Sequence, residues 1–537
     1  MDLKHIIPQQ RRRSAGPALD IQYSVDRTNV PRVGPTPTFT RASSGTFVNE
    51  NRRIVGKTTS TTSLNPASVP VGGVAVFAVP SGSVVGWLND SVVSVMVDSD
   101  GNDQVDAQAH VTGTLLHKTN TAITLLVTSK VGTATVSSWF VSYRGQRITH
   151  DPVTGRCLGT LIEQTRTNLL LQSQNFGTTW TDDIARISIS IDQTVSPSEI
   201  NDADKISENT TISERRICIQ SLNFTSGTTY TFSCYVKAAE REIVQLGFGT
   251  SIGAQYQNFI VGGVNAGSLG GGSGTTASIQ TLKNGWYRCT ATITASATGS
   301  SQVTVGPNIS STALRWAPYV GTIGSGIFVW GAQLETSLNA TSYIPTTAVS
   351  TARAQDLHTI TGANFSYMYN QSSGTVFCSH EVSPFNGTHG VYGITASIRA
   401  AAGITAVRNN STLLVTGVYS SPPNFDSQAS FASSVSASGQ TKSAIAVRTD
   451  DFAYSANGSI STDSSGTLNP IMDRFVIGAT GNLSGPQVGS NIFSAILYYR
   501  DRLPNAELQT LTSTVSETIV YNGVAIWYNG EGLIETS

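Results

Sequence analysis

The sequence predicts an all-β protein: several β-sandwich or jelly-roll domains in series, with one small β module inserted in the first. Three observations predict it. Val, Ile and Thr alternate with polar residues in short runs, the period-two pattern of half-buried strands. The chain carries 50 glycines, and pairs such as Asn284-Gly285, Asn386-Gly387 and Asn457-Gly458 favour hairpin turns. Helix-period segments are scarce; the clearest runs from Pro504 to Leu511, with proline near its start. At 537 residues the chain exceeds what one hydrophobic core sustains, so several domains are expected.

Taken in order, residues 1–20 read as an N-terminal arm, because Pro8, Gly16 and Pro17 forbid a continuous helix; arms of this kind often serve attachment to a larger assembly and are as often merely disordered. Residues 21–57 alternate, as in Thr46-Phe47-Val48, and the same style resumes at Arg147-Ile148-Thr149. The reading is a discontinuous β domain over 21–57 and 141–170. Between the halves the composition shifts to a Thr/Ser opening followed by short, evenly spaced strands, an inserted module over 58–140. Residues 171–355 carry longer strands, such as Tyr230–Val236 and Trp286–Ile293, and suit a jelly roll. The pattern restarts over 356–520 as a further sandwich. Residues 521–537 read as a terminal hairpin and tail, with Asn522-Gly523 and Asn529-Gly530 as turn signals.

Composition excludes several functions. Charged residues are 12% of the chain and the net charge is -1, against the basic surface that a nucleic-acid groove or an anionic-membrane binder needs. The basic cluster Arg11-Arg12-Arg13 lies in the arm. The first residues, MDLKHIIPQQRRR, lack the apolar region of a secretory signal. The longest apolar run, Val71 to Val79, is too short to span a bilayer, so no membrane insertion is expected. Five cysteines are widely spread without Cys/His spacing, so each is expected to pack as a small apolar residue rather than hold zinc.

One stretch orders the rest: Gly159 to Trp180, GTLIEQTRTNLLLQSQNFGTTW. A charge pair, Glu163 and Arg166, precedes Asn168 and an apolar run ending on Phe176 and Trp180. It reads as a domain joint. The stretch resembles a pattern recurrent in bacteriophage tail-fibre and related virion structural proteins, Gly-x-Leu-Ile-Glu-x-x-Arg-Thr-Asn-Leu-Leu followed by Ser-x-x-Phe and Trp. The match falls on Gly159, Leu161, Ile162, Glu163, Arg166, Thr167, Asn168, Leu169, Leu170, Ser173, Phe176 and Trp180. Phe39–Ser43, His150–Gly155, Tyr235–Ala238, Trp286–Arg288 and Val329–Glu335 leading to Thr341–Thr346 are similar to the same family. Residues 58–140 depart from it and only loosely resemble small β repeats of other phage fibres. The resemblance implies a carbohydrate-binding-like jelly roll at 171–355 and a concanavalin A-like, laminin-G-type sandwich at 356–520. It also implies a virion component assembled in the host cytoplasm, foremost a tail fibre or a receptor-binding or adaptor subunit. Such a component would be a homotrimer, bound to other virion proteins through its arm and to a host surface glycan or protein. A head fibre or decoration protein, and a polysaccharide-degrading tailspike, are the rival members of that class.

The chemistry-bearing residues are few. Trp286, Trp316, Tyr319, Trp330 and Tyr343 supply aromatic faces on which sugars stack. Trp286 and Trp330 sit in strong strands and are expected in the core. Trp316, Tyr319 and Tyr343 are the candidate ligand contacts. Asp98, Asp100 and Asp103, with Gly101 between them, form an oxygen-rich turn; it reads as a hairpin, or as a calcium loop without the EF-hand order. Calcium is thus the one cofactor in view. Gly249-Thr250-Ser251-Ile252-Gly253 fits Gly-x-Ser-x-Gly, but a strand rather than a helix is expected after it, so it is not a nucleophile elbow. The run 262–274, GGVNAGSLGGGSG, reads as a flexible loop rather than a phosphate cradle. No acidic pair stands out for glycoside hydrolysis, and no catalytic activity is expected.

Overall fold

The computed structural model describes residues 16–21, 32–41, 46–49, 52, 54–55, 57–60, 62–81, 84, 87–89, 91–96, 110–133, 139–182, 185–382, 388–396, 399–409, 413–419, 427–434, 440–466, 468, 472–479, 491–513, 517–521, 524–528 and 533–535. The protein is all-β. Among these residues the α-helices are Gly362–Met368 and Asn505–Thr512. None is long and apolar enough to cross a membrane. The chain forms two compact units, one of residues 41–157 and 165–355, the other of 1–40, 158–164 and 356–537.

The first unit contains two cores. Six antiparallel strands run in the order Lys57–Ser60, Trp139–Tyr143, Val92–Met96, His110–Lys118, Ala122–Val131, Val74–Ala78. Alternation decides their faces: Ala75 and Phe77 are buried while Val74 and Val76 are exposed. Phe77, Val93, Val95, Leu115, Ile123 and Leu125 pack with Trp87, whose ring stacks on Tyr143 at 5.1 Å. The second core lies between a six-stranded and a five-stranded sheet, a jelly roll. The six-stranded sheet is ordered Ile187–Val195, Asn201–Glu208, Gly326–Glu335, Thr229–Ala238, Trp286–Thr294, Thr276–Thr281. The five-stranded sheet is ordered Cys218–Phe224, Gly299–Asn308, Ile243–Phe248, Tyr256–Ile260, Ser268–Ser273. Phe232, Val236, Leu246, Phe248, Val305, Ile327 and Leu334 fill the space between them. Cys218, Cys234 and Cys289 pack there as apolar groups, and burial pushes each thiol pKa up.

A short hairpin serves both cores. Phe47 pairs with Val55, and Val48 with Ile54. Successive strand residues face opposite ways, so Phe47 and Val55 enter the first core, and Ile54 joins Tyr235, Trp286, Trp330 and Tyr343 beside the second. Buried arginines reinforce the seam. Arg147 donates to the Thr46 carbonyl at 2.9 Å and to Ser342 Oγ at 2.8 Å. Arg353 donates to the same Ser342 Oγ at 2.9 Å.

The second unit is a sandwich. One sheet includes, in order, Cys157–Ile162, Asn491–Tyr499, Ser373–Val382, Gln440–Arg448, Asp451–Ala456 and Ser459–Asp463, with Leu19–Ile21 also paired to Asn491–Tyr499. The other follows Thr38–Thr40, Leu357–Thr361, Arg474–Ile477, Thr388–Ala396, Arg399–Asn409, Leu413–Tyr419, Ser427–Ser434. The helix Asn505–Thr512 lays Leu508 against a floor of Ala444, Ala446 and Ala453.

Two expectations are corrected. The discontinuous domain over 21–57 and 141–170 is not one body: Thr38–Thr40 pairs with Leu357–Thr361 in the sandwich, whereas residues 46–55 and 143–150 belong to the other unit. The arm of 1–20 ends earlier, because Leu19 and Ile21, both fully buried, pair with Tyr498 and Ile496. Residues 1–15 lie outside the described residues, as do the turns 522–523 and 529–530.

The stretch 159–180 divides at Gln164–Thr165. Gly159 has φ 129°, and a Cβ there would lie 2.0 Å from the Phe493 carbonyl oxygen, so only glycine lets this strand pair with 491–493. Buried Glu163 exchanges backbone bonds with Asp356: its N–H donates to Asp356 Oδ2 and its carbonyl accepts from Asp356 N, both at 2.9 Å. Beyond the division, Arg166–Asn168 pairs with Thr351–Arg353, and Arg166 donates to the Thr165 carbonyl at 3.0 Å. Asn168 is fully buried. Its Nδ2 donates to the carbonyls of Ala332 at 3.0 Å and Ile344 at 2.9 Å. Its Oδ1 accepts from Leu170 N at 3.2 Å and Leu334 N at 3.1 Å. That exhausts the amide. The segment then enters the jelly roll with Leu170, Phe176 and Trp180, and Phe176 N–H donates to Asp204 Oδ2 at 2.6 Å.

Two predictions follow from this joint. Asn168→Ala strands four buried backbone groups and is expected to destabilise the protein by about 3 kcal/mol, since each orphaned group costs about 1–3 kcal/mol and partial relaxation recovers some. Urea unfolding monitored by tryptophan fluorescence measures it; an unchanged midpoint refutes the clamp. The second concerns pH. Burial raises the Asp204 pKa to about 6, and burial raises Asp202 in the same direction. The unfolded aspartate titrates near 4. The folded state therefore takes up its proton first, and stability rises as pH falls from about 6 towards about 4. The melting midpoint should rise between about pH 7.5 and about pH 5, and Asp204→Asn should flatten that rise; a midpoint falling monotonically over this range overturns the assignment.

Candidate ligand-binding surface

The structure separates the three aromatic candidates. Tyr343 is 2% exposed and Tyr319 6% exposed; neither offers a ring face to a ligand, a correction to the expectation. Tyr343 is held by its hydroxyl, 2.6 Å from Ser173 Oγ, and by its ring, 4.7 Å from that of Trp330. Tyr319 donates to Glu208 Oε1 at 2.7 Å and lies under the guanidinium of Arg216 at 4.5 Å. Arg241 grips the same Glu208 through two bonds of 2.7 and 2.8 Å. Burial alone would raise the Glu208 pKa, but the bonds from Arg241, Thr322 N–H and Tyr319 outweigh it and hold the carboxyl below the usual range. This cluster ties the strand Asn201–Glu208 to the loop before Gly326. Trp286 and Trp330 are core residues, as expected.

Trp316 is half-buried and stands on a different foundation. Along Ile243–Phe248, Val244, Leu246 and Phe248 enter the core, so Gln245 and Gly247 face the other way. On that outer face lies the segment 309–318, held by amide side chains and bare backbone. Gly271 N–H donates to the Ser311 carbonyl at 2.7 Å. Asn258 Nδ2 donates to the Ala313 carbonyl at 2.6 Å and Gln245 Nε2 to that of Leu314 at 3.1 Å. Trp316 N–H donates to Gln245 Oε1 at 2.8 Å, and its Nε1 to Thr304 Oγ1 at 3.1 Å.

Glycines make room for this segment. A Cβ on Gly270 would meet the Ser311 carbonyl oxygen at 2.4 Å, and one on Gly247 would lie 3.1 Å from Trp316 Nε1. The run 262–274 is therefore not a loop throughout. Ser268–Ser273 is an edge strand paired with Tyr256–Ile260, and its missing side chains are the seat of the segment above it. The seat also forces Trp316 to φ 53°, a left-handed conformation that bulky residues adopt only when surroundings impose it.

Two arginines complete the surface. The Arg315 guanidinium lies 3.7 Å from the Trp316 ring centroid and that of Arg215 5.6 Å from it. Arg315 Nη1 donates to the Phe248 carbonyl at 3.1 Å. Burial, and then the positive charge of Arg215, pull the Arg315 pKa down. Among the described residues no carboxylate pairs with Arg315. Around the cluster Leu314 is 72% exposed and Val320 65%. Sequence reading singled out the tryptophan and missed the arginines. The available signal was the adjacency of Arg315 and Trp316 in a segment without strand alternation.

The remaining candidates carry less. Asp98, Asp100 and Asp103 lie outside the described residues, and among the described residues no cluster could hold a metal ion. At Gly249–Gly253 a 3-10 turn, Thr250–Ile252, is followed by the strand Tyr256–Ile260 rather than a helix. Ser251 Oγ donates to the Ser300 carbonyl at 3.2 Å. Glu163, Arg166 and Asn168 are structural, as described above.

A scan against protein-family models and a search of curated proteins give no match. Among solved structures, the chain is similar to Ruminococcus gnavus IT-sialidase CBM40 bound to alpha2,3 sialyllactose, with 16% identity over 28% of this chain and 88% of that one, TM-score 0.24. It is similar to the binding domain of Botulinum neurotoxin DC in complex with rat synaptotagmin II, with 12% identity over 30% and 42%, TM-score 0.24. Trypanosoma rangeli sialidase in complex with sialic acid aligns at 12% identity over 89% and 98%, also at TM-score 0.24. At these TM-scores the likeness carries no argument about what this chain does.

Proposed function

We propose that this chain is a bacteriophage virion structural protein, a tail fibre or receptor-binding subunit that attaches the particle to host surface glycans. The observation that carries the binding role is the segment 309–318. It is seated on a glycine floor, it imposes a left-handed backbone on Trp316, and it brings Arg315 and Arg215 to the same half-buried ring. A scaffold that spends amide side chains and bare backbone on holding one surface segment is what a preorganised recognition surface requires. The virion role is supported by the joint residues from Gly159 to Trp180, whose resemblance is to phage fibre proteins.

Single saccharide contacts are weak, and attachment through them depends on linked copies. A trimer would multiply one shallow site into a multivalent one. The arm ahead of Leu19 is the segment proposed to dock on the particle.

Purified protein added to host cells should compete with whole particles for adsorption without releasing oligosaccharide. Lack of competition overturns the receptor role, and sugar release replaces it with a depolymerase. Removing residues 1–15 stops short of the strand Leu19–Ile21, so the truncated chain should melt as the full chain does yet be absent from purified particles. Normal incorporation refutes the docking role of the arm.

A further inference from the structure

We infer that the surface around Trp316 recognises an anionic saccharide, with Arg315 as the group that contacts its carboxylate or other acidic substituent. The inference rests on the glycan-binding reading above and names the class of sugar.

The tryptophan face does not serve the sugar directly. With the Arg315 guanidinium 3.7 Å above the ring centroid, that face is already occupied. A guanidinium stacked on an aromatic ring keeps its N–H groups, which lie in the stacking plane and point outward around the edge. Arg315 spends Nη1 on the Phe248 carbonyl, a bond that fixes the rotation of the fork. The remaining donors are left in the geometry that grips a carboxylate through two parallel bonds. Trp316 is therefore a positioning residue for Arg315.

Electrostatics point the same way. Arg215 approaches the same ring, and its charge acts on Arg315. Two guanidinium groups at one half-buried ring concentrate positive charge on this surface. Arg315 has no carboxylate partner among the described residues. Two other arginines near this sheet are committed: Arg216 to four backbone carbonyls, and Arg241 to Glu208. Arg315 alone of these three keeps a planar fork at a half-exposed position. The neighbouring exposed Leu314 and Val320 offer apolar contact to the C–H face of a sugar ring, and the surrounding Ser, Thr, Asn and Gln suit its hydroxyls.

The test uses the full chain and three immobilised polymers: a hexuronate polysaccharide, the same polymer with its carboxyls reduced to alcohols, and a sulfated polysaccharide. The first should bind, the second should not, and the third reads whether the acidic group must be a carboxylate. Arg315→Gln should weaken binding to the acidic polymers by about 10- to 100-fold, the worth of a charge-assisted hydrogen bond. Arg315→Lys keeps the charge but loses the fork; it should also bind at least about tenfold more weakly, and it carries the test if the glutamine variant fails to fold. Equal binding of native and carboxyl-reduced polymer, unmoved by either variant, overturns the acidic-sugar inference while glycan attachment stands. Binding of an acidic peptide but no saccharide also overturns it. Failure of the folded protein to bind any saccharide or host cell overturns both readings.

Discussion

Asn168 is the constraint on which the jelly roll depends. One buried amide makes four bonds to main-chain groups of three segments: its own, the strand Gly326–Glu335, and the return at Ile344. An asparagine is suited to this because it carries two donors and two acceptor lone pairs on one short, stiff stem. Aspartate lacks the donors, and glutamine adds a methylene that the packed surroundings would have to absorb. Ser173 repeats the device a few residues on, with its hydroxyl 2.6 Å from that of Tyr343 and accepting from Thr346 N at 2.8 Å. The entry of the chain into the sandwich is fixed by polar side chains acting as local substitutes for a ladder.

That solution recurs because the chain is poor in charge. Several buried arginines cap main-chain carbonyls. Arg216 holds those of Thr210, Ile212, Glu214 and Tyr319, and Arg41 holds those of Tyr143 and Gly145. Such bonds give the Nη groups of a buried guanidinium partners without the desolvation of a second ion. Surface polarity is left to hydroxyls and amides, so a half-exposed arginine on an aromatic ring has little competition in its neighbourhood.

Much of the fold was legible in the sequence. Period-two runs such as Tyr230–Val236 became central strands, and the apolar residues of the stretch from Leu170 to Trp180 became core. The joint was recognisable as a pattern, but the work of Asn168 was not, because its partners are backbone groups about 160 to 180 residues away and backbone has no sequence signature. Tyr319 and Tyr343 were read as candidate contacts because an aromatic letter says nothing about burial; a glutamate and a serine elsewhere in the chain decided it. The glycine-rich run was read as slack, whereas its missing side chains are occupied by another segment's backbone. Leu19 and Ile21 are too short a pattern to mark a strand until Tyr498 and Ile496 supply the partner.

The hairpin from Phe47 to Val55 has a thermodynamic consequence. It is a shared wall: one cross-strand pair faces each core. Loss of order in the six-stranded sheet removes the footing of Ile54 against Trp330 and Tyr343, and loosening of the jelly roll exposes the back of Phe47. Disorder in either core therefore weakens packing beside the other. An insertion that by its position could have been a detachable ornament instead shares a wall with its host.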